Sequence, residues 1–101
     1  MEKLRVVFLL GGHSRYPRGE VSISINNNSF TALLTNGEDT LTILGYVYSE
    51  GNVLAGSFCD ADGTVKSVLM QKVKNGYSGI YTTIMGQQEP YRSRCEWVEI
   101  I

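Results

Sequence analysis

Thr64-Val65-Lys66-Ser67-Val68-Leu69-Met70-Gln71-Lys72-Val73-Lys74, followed by Asn75-Gly76, is the stretch on which the fold turns. Val65, Val68, Leu69 and Val73 fall at helical spacing. An aspartate-rich turn precedes them, and Asn75-Gly76 can end a helix. Taken alone, the segment offers a helix packed across a curled sheet, which would make the domain α+β. Its hairpin-like neighbours argue for a strand instead. Strand is therefore the first reading of residues 64–74, and helix the alternative.

Outward from this stretch, turn signals recur at short, fairly even intervals: Gly11-Gly12, Asn26-Asn27-Asn28, Asn36-Gly37, Glu50-Gly51-Asn52, Asp60-Ala61-Asp62-Gly63, Asn75-Gly76 and residues 87–90. Asn-Gly appears twice, and it suits a type I′ turn because both central residues need positive φ. Even spacing of this kind points to a sandwich or barrel. Between the turns lie eight candidate strands: 4–10, 20–26, 29–35, 39–48, 53–59, 64–74, 77–85 and 91–100. Val21, Ile23 and Ile25 alternate with Ser22 and Ser24. Phe30, Ala32 and Leu34 share one side, as do Leu54 and Phe58. The expected fold is all-β, a small antiparallel meander closing into a barrel of about eight strands, one domain over residues 1–101.

Two segments are apolar on both faces. Leu41, Ile43 and Val47 oppose Leu44, Tyr46 and Tyr48. Tyr77, Tyr81 and Met85 oppose Ile80 and Ile84. A barrel wall with one solvated face alternates more cleanly, so a second partner is expected, and a homo-oligomer with it.

Composition narrows the classes. Apolar residues make up 43% and charged residues 19%, which suits a packed globular domain rather than a disordered chain. A formal net charge of -1 gives no basic excess for nucleic acid, making it an unexpected partner. Cys59 and Cys95 with a single histidine do not make a Cys/His zinc site within one chain. Two free thiols are the first reading, and a disulfide, implying an oxidising compartment, the second. The run Val6-Val7-Phe8-Leu9-Leu10 is too short to span a bilayer and ends at Gly11-Gly12 without a cleavage site. The expected location is cytoplasmic, or secreted if a leader has been removed, with no membrane partner.

The segment Gly11-Gly12-His13-Ser14-Arg15-Tyr16-Pro17-Arg18-Gly19 is the most unusual. Its glycines free backbone amides, and the guanidiniums of Arg15 and Arg18 suit a carboxylate or phosphate. It lacks the glycine and lysine spacing of nucleotide-binding loops. His13, Ser14, Arg15, Tyr16 and Arg18 are thus candidate ligand-binding residues for a small anion; the bland reading is a solvated connection. A serine nucleophile at Ser14 would need His13 as its base and Asp39, Asp60 or Asp62 as the orienting group. Adjacent residues project in different directions, which disfavours that triad. Asp60-Ala61-Asp62-Gly63 is similar in part to a calcium loop, but Gln71 stands where the twelfth-position glutamate belongs, so a turn is preferred. Glu96 and Glu99 beside Arg92 and Arg94 read as the charges of a solvated edge strand. Among the ten aromatics, Tyr46, Tyr48, Tyr81 and Trp97 are the candidates for a pocket or interface, each an apolar body with a polar tip.

Gly45-Tyr46-Val47-Tyr48, Leu54-Ala55-Gly56-Ser57-Phe58 and Gly76-Tyr77-Ser78-Gly79-Ile80-Tyr81 together resemble the walls of small up-and-down β-barrels of the calycin and avidin type. The resemblance covers residues 39–85 and implies a ligand-holding or partner-binding barrel, sometimes oligomeric. The leading expectation is a non-catalytic binding protein, without a cofactor, for a small, possibly anionic molecule or for a protein partner, as an inhibitor would be. The alternatives are a small barrel enzyme using His13 or a buried carboxylate as general base, and an assembly protein.

Overall fold

The computed structural model describes residues 2–8, 18–35, 37, 40–59, 63, 65–85 and 92–99. Eight antiparallel strands follow one another around a closed barrel: β1 (Glu2–Phe8), β2 (Arg18–Asn26), β3 (Ser29–Thr35), β4 (Thr40–Tyr48), β5 (Val53–Cys59), β6 (Val65–Val73), β7 (Gly76–Met85) and β8 (Arg92–Glu99). Each strand pairs with the one before it, and β8 returns to pair with β1, Val6 standing opposite Trp97. The all-β meander expected from the turn spacing is the fold.

The deciding stretch is a strand, so the helical alternative for 64–74 is overturned. Val65–Val73 pairs with β5 on one side and β7 on the other. The helical stripe arises because Lys66 breaks the period-two pattern. Lys66, Val68 and Met70 point inward and are buried, while Leu69 points out. The lysine is 1% exposed and has an interaction of its own. Its aliphatic stem can lie along the apolar lining beside Phe58, its neighbour in register. A β-bulge between Val65 and Lys66 shifts the register against β7 just there, setting Lys66 opposite Thr83.

A second expectation is corrected at β8. Read as a solvated edge, it is paired on both sides, with β7 and with β1. Closure abolishes edges altogether. Arg94 and Glu96, two positions apart along β8, are surface charges whose ion pair spans 3.8 Å.

The interior is filled by large side chains placed opposite small ones. One transverse row runs Phe30, Gly45, Gly56, Val68, Tyr81. The Phe30 ring lies over Gly56, where an added Cβ would meet its Cζ at 2.9 Å. Lower down, Trp97 is 0% exposed and meets Tyr77 edge to face, ring centroids 6.5 Å apart. Leu34, Leu41, Ile43, Leu54 and Met70 complete the packing.

The two ends of the barrel differ. At one end the links are tight: Asn27-Asn28, the 3-10 turn Ser49–Gly51, and Lys74-Asn75. Asn27 takes φ 58°, Gly51 93° and Gly76 150°. The Ser29 hydroxyl donates to the Asn26 carbonyl at 3.0 Å, closing the first of these turns. At the other end lie Phe8, Arg18, Thr35, Thr40, Cys59, Val65, Met85 and Arg92, the strand ends that the longer connections join. No helix among the described residues is long and apolar enough to cross a membrane.

Candidate functional site

Strand alternation divides the candidate aromatics between the two faces of the wall. Tyr81 and Trp97 point inward and are buried in the core. Tyr46 and Tyr48 point outward, 63% and 53% exposed. The four do not form one pocket. His13, Ser14, Arg15 and Tyr16 lie outside the described residues. Arg18 opens β2, at the end of the barrel where the longer connections attach. Among the described residues the buried polar side chains are Lys66 and Thr83, with no buried carboxylate, and no cluster of His, Cys, Asp or Glu suits a metal ion.

What the register does bring together is a row on the outer face. Tyr46 on β4 pairs with Ala55 on β5, Ala55 with Leu69 on β6, and Leu69 with Ile80 on β7. Leu44 and Tyr48 flank the row on β4, and Val53 on β5. Leu44 is 59% exposed and Leu69 54%. From Thr40 to Thr82, the outward positions of β4–β7 hold apolar, hydroxyl and amide side chains and Cys59, and no charged residue. Charges border the row at Arg94, which pairs with Ile80, at Glu50 in the turn after β4, and at the exposed Lys72 near the end of β6.

The wall also has relief. A groove of about 340 Å³ lies over Ala55, Gly56, Ser57 and Ser67, bounded by Leu44 and Tyr46 on one side and Leu69 on the other. A second, of about 330 Å³, lies beyond Leu69, over Gly79 and bounded by Ile80. Leu69 is thus a ridge between two troughs. The troughs lie where the outward positions beside Leu69 carry short side chains, Ala55, Ser57 and Ser67 on one side and Ser78 on the other. The sequence signal for this face was the double-sided apolar pattern of 41–48. The contribution of Leu69 is obscured because an inward lysine, Lys66, and an outward leucine, Leu69, break the expected alternation of their strand.

The cysteines also part company. Cys59 is exposed and free; Cys95 is buried and free. Burial pushes the Cys95 thiol up to about 12, with Glu96 adding to the rise. The Trp97 side chain opposes it, though the buried indole N–H satisfies no hydrogen bond. A thiol so held is inert, since the thiolate is the nucleophile. At pH 8 a thiol reagent is therefore expected to label one cysteine quickly in the folded protein and two after denaturation; two fast equivalents under native conditions would contradict this placement. The linkage sign follows. A thiol whose folded value lies above its unfolded value of about 9 contributes its full stability below pH 9. That contribution falls as pH rises from about 9 toward 12. The stability difference between wild type and Cys95→Ala should shift in that direction over this range, as urea unfolding at pH 8 and pH 10.5 would show.

No family model, no curated protein and no solved structure matches this chain.

Proposed function

We propose that the protein is a non-catalytic binding module that docks another protein on the outer wall of β4–β7. The observation that carries this reading is the outward row Tyr46–Ala55–Leu69–Ile80, free of charge over four adjacent strands, with Tyr46 and Leu69 exposed and Ala55 and Ile80 half-buried between and beside them. Monomer surfaces scatter their apolar side chains singly; contiguous exposed ones mark interaction sites. Depletion of charge with enrichment in tyrosine is the composition of an interface centre. The barrel interior supports the same choice, because Phe30, Tyr81, Trp97 and Met70 occupy the space that a ligand-holding barrel would leave open. The two unpaired thiols favour a reducing compartment, the cytoplasm.

A photo-crosslinking side chain placed at position 46 or 69 tests the reading in the source cells, with position 24 on β2 as the control. Ser24 is also exposed and outward, but off the row. Protein adducts from 46 and 69 and none from 24 are expected. No adducts from the wall, or equal yields from all three positions, would defeat it.

A further inference from the structure

We infer that the occupant of this wall is a second copy of the chain, packed about a two-fold axis that runs along the strands between β5 and β6. This rests on the wall reading above and adds the partner and the pairing.

Charge selects the partner. A charged group pressed against Tyr46, Ala55 and Leu69 would lose its hydration with no opposite charge on this side to replace it. The facing surface must itself be uncharged over the same extent, a condition that a second copy of the same wall meets. With a formal net charge of -1, two copies repel each other little.

Shape selects the axis. Rotation about a line along the strands, between β5 and β6, sets Leu69 over the partner's Ala55 and Ala55 beneath the partner's Leu69. Each leucine ridge then enters the 340 Å³ trough of the opposite copy. Tyr46 meets the partner's Ile80, its long side chain spanning the gap that opens as the two curved walls diverge. An axis across the strands would instead set Leu69 against the partner's Leu69, ridge on ridge. Pairing by strand addition is closed off, because a barrel sealed by β1 and β8 has no free edge.

Area sets the strength. A standard interface takes about 800 Å² from each partner, about one-eighth of this protein's 6412 Å² surface. Strands about 4.8 Å apart make the four-strand strip only about 15–20 Å wide. Two convex barrels therefore meet at the small end of the specific range, and association in the micromolar range is expected.

Sedimentation between about 10 μM and 1 mM should show wild type passing from 11.2 kDa toward twice that mass. Leu69→Glu and Ala55→Lys should each weaken association about 100-fold or more, because each puts an uncompensated charge at the centre of the contact. Mixed in equal amounts, the two variants should associate again. In the mixed pair the introduced carboxylate meets the introduced ammonium at one of the two equivalent contacts, and the other contact is the original Leu69 on Ala55. Tyr46→Glu mixed with Ile80→Lys repeats the test at the outer contact, and a thermal melt of each variant identifies any folding defect. Wild type that keeps the single-chain mass throughout overturns the inference, as does failure of both mixtures to recover association. A single-chain wild type whose position 69 crosslinks to a different protein overturns the second-copy partner and leaves the wall reading standing. No wall adduct of any kind removes both.

Discussion

Trp97→Ala is expected to cost about 3–5 kcal/mol, the range for deleting a large aromatic from a core that cannot collapse into the space. Trp97 is fully buried, and it fills the barrel at the level where Tyr77 meets it edge to face. Its strand is hydrogen-bonded on both sides, to β7 and to β1, so the backbone is poorly placed to relax inward. Two effects work against each other. Lost dispersion and transfer energy destabilise, whereas removing an indole N–H that has no hydrogen-bond partner relieves a small penalty. The first is the larger, because an aromatic of this size makes many contacts and the unpaired donor is one group. For a domain of about 100 residues each kcal/mol moves the melting temperature by about 4–8 °C, so a fall of about 12–40 °C is expected. Tyr48→Ala on the outer wall serves as the comparison. It should stay within about 0.5 kcal/mol at concentrations where the chain is single. Melts followed by far-ultraviolet circular dichroism decide the matter. A Trp97→Ala loss below about 1.5 kcal/mol would mean that the indole is not a packed core element.

That contrast between Trp97 and Tyr48 also marks where the sequence stops being informative. Both residues have an apolar body and a polar tip, and composition alone made both candidates for a pocket. Only the parity of their positions in paired strands separates them. Parity was legible where apolar and small polar residues alternate, as at Val21-Ser22-Ile23-Ser24, and the inward set of β2 and β3 follows from it. It was obscured at 65–73 because a lysine occupies an inward position and a leucine an outward one. Closure was hidden for a different reason. Pairing of β1 with β8 joins residues 87 to 95 positions apart (Phe8 with Cys95, Leu4 with Glu99), and no local pattern encodes it. The candidate site was half legible. The apolar outward face of 41–48 pointed to a partner surface, but its continuation through Ala55 to Leu69 and Ile80 is a property of register. The residues at 13–16, the strongest chemical signal in the sequence, lie outside the described strands, and the anion-binding expectation attached to them stands on the sequence alone.

Register also places glycines where neighbouring backbone leaves no room for a Cβ, at Gly45, Gly76 and Gly79, and Gly79→Ala is expected to destabilise by about 3 kcal/mol, the upper end of the usual range for overpacking. Gly79 stands opposite Met70 on β6 and Cys95 on β8. A Cβ there would run into the Leu69 carbonyl oxygen and come within 2.8 Å of the Met70 Cα. Those are backbone atoms of a strand paired with β7 from Val65 to Val73, so relief requires the two strands to part. Gly56 is a milder case. Its added Cβ would meet the Leu44 carbonyl at 2.8 Å, but its other neighbours are the Phe30 Cζ and the Ile43 Cγ2, side-chain ends that can shift by a few tenths of an ångström. Gly56→Ala should therefore cost about 1–2 kcal/mol. Against both stands the entropy that alanine removes from the unfolded chain, which favours the substitution by about 0.4–1 kcal/mol and is too small to reverse either sign. Gly51→Ala separates crowding from conformation: no atom lies within 4 Å of its added Cβ, and its φ of 93° is the sole cost. Urea unfolding of the three variants should rank them Gly79, then Gly56 and Gly51, with Gly79→Ala also raising amide exchange along β6 and β7. If Gly79→Ala is no more destabilising than Gly51→Ala, the close approach of β7 to β6 is not a feature of the folded barrel.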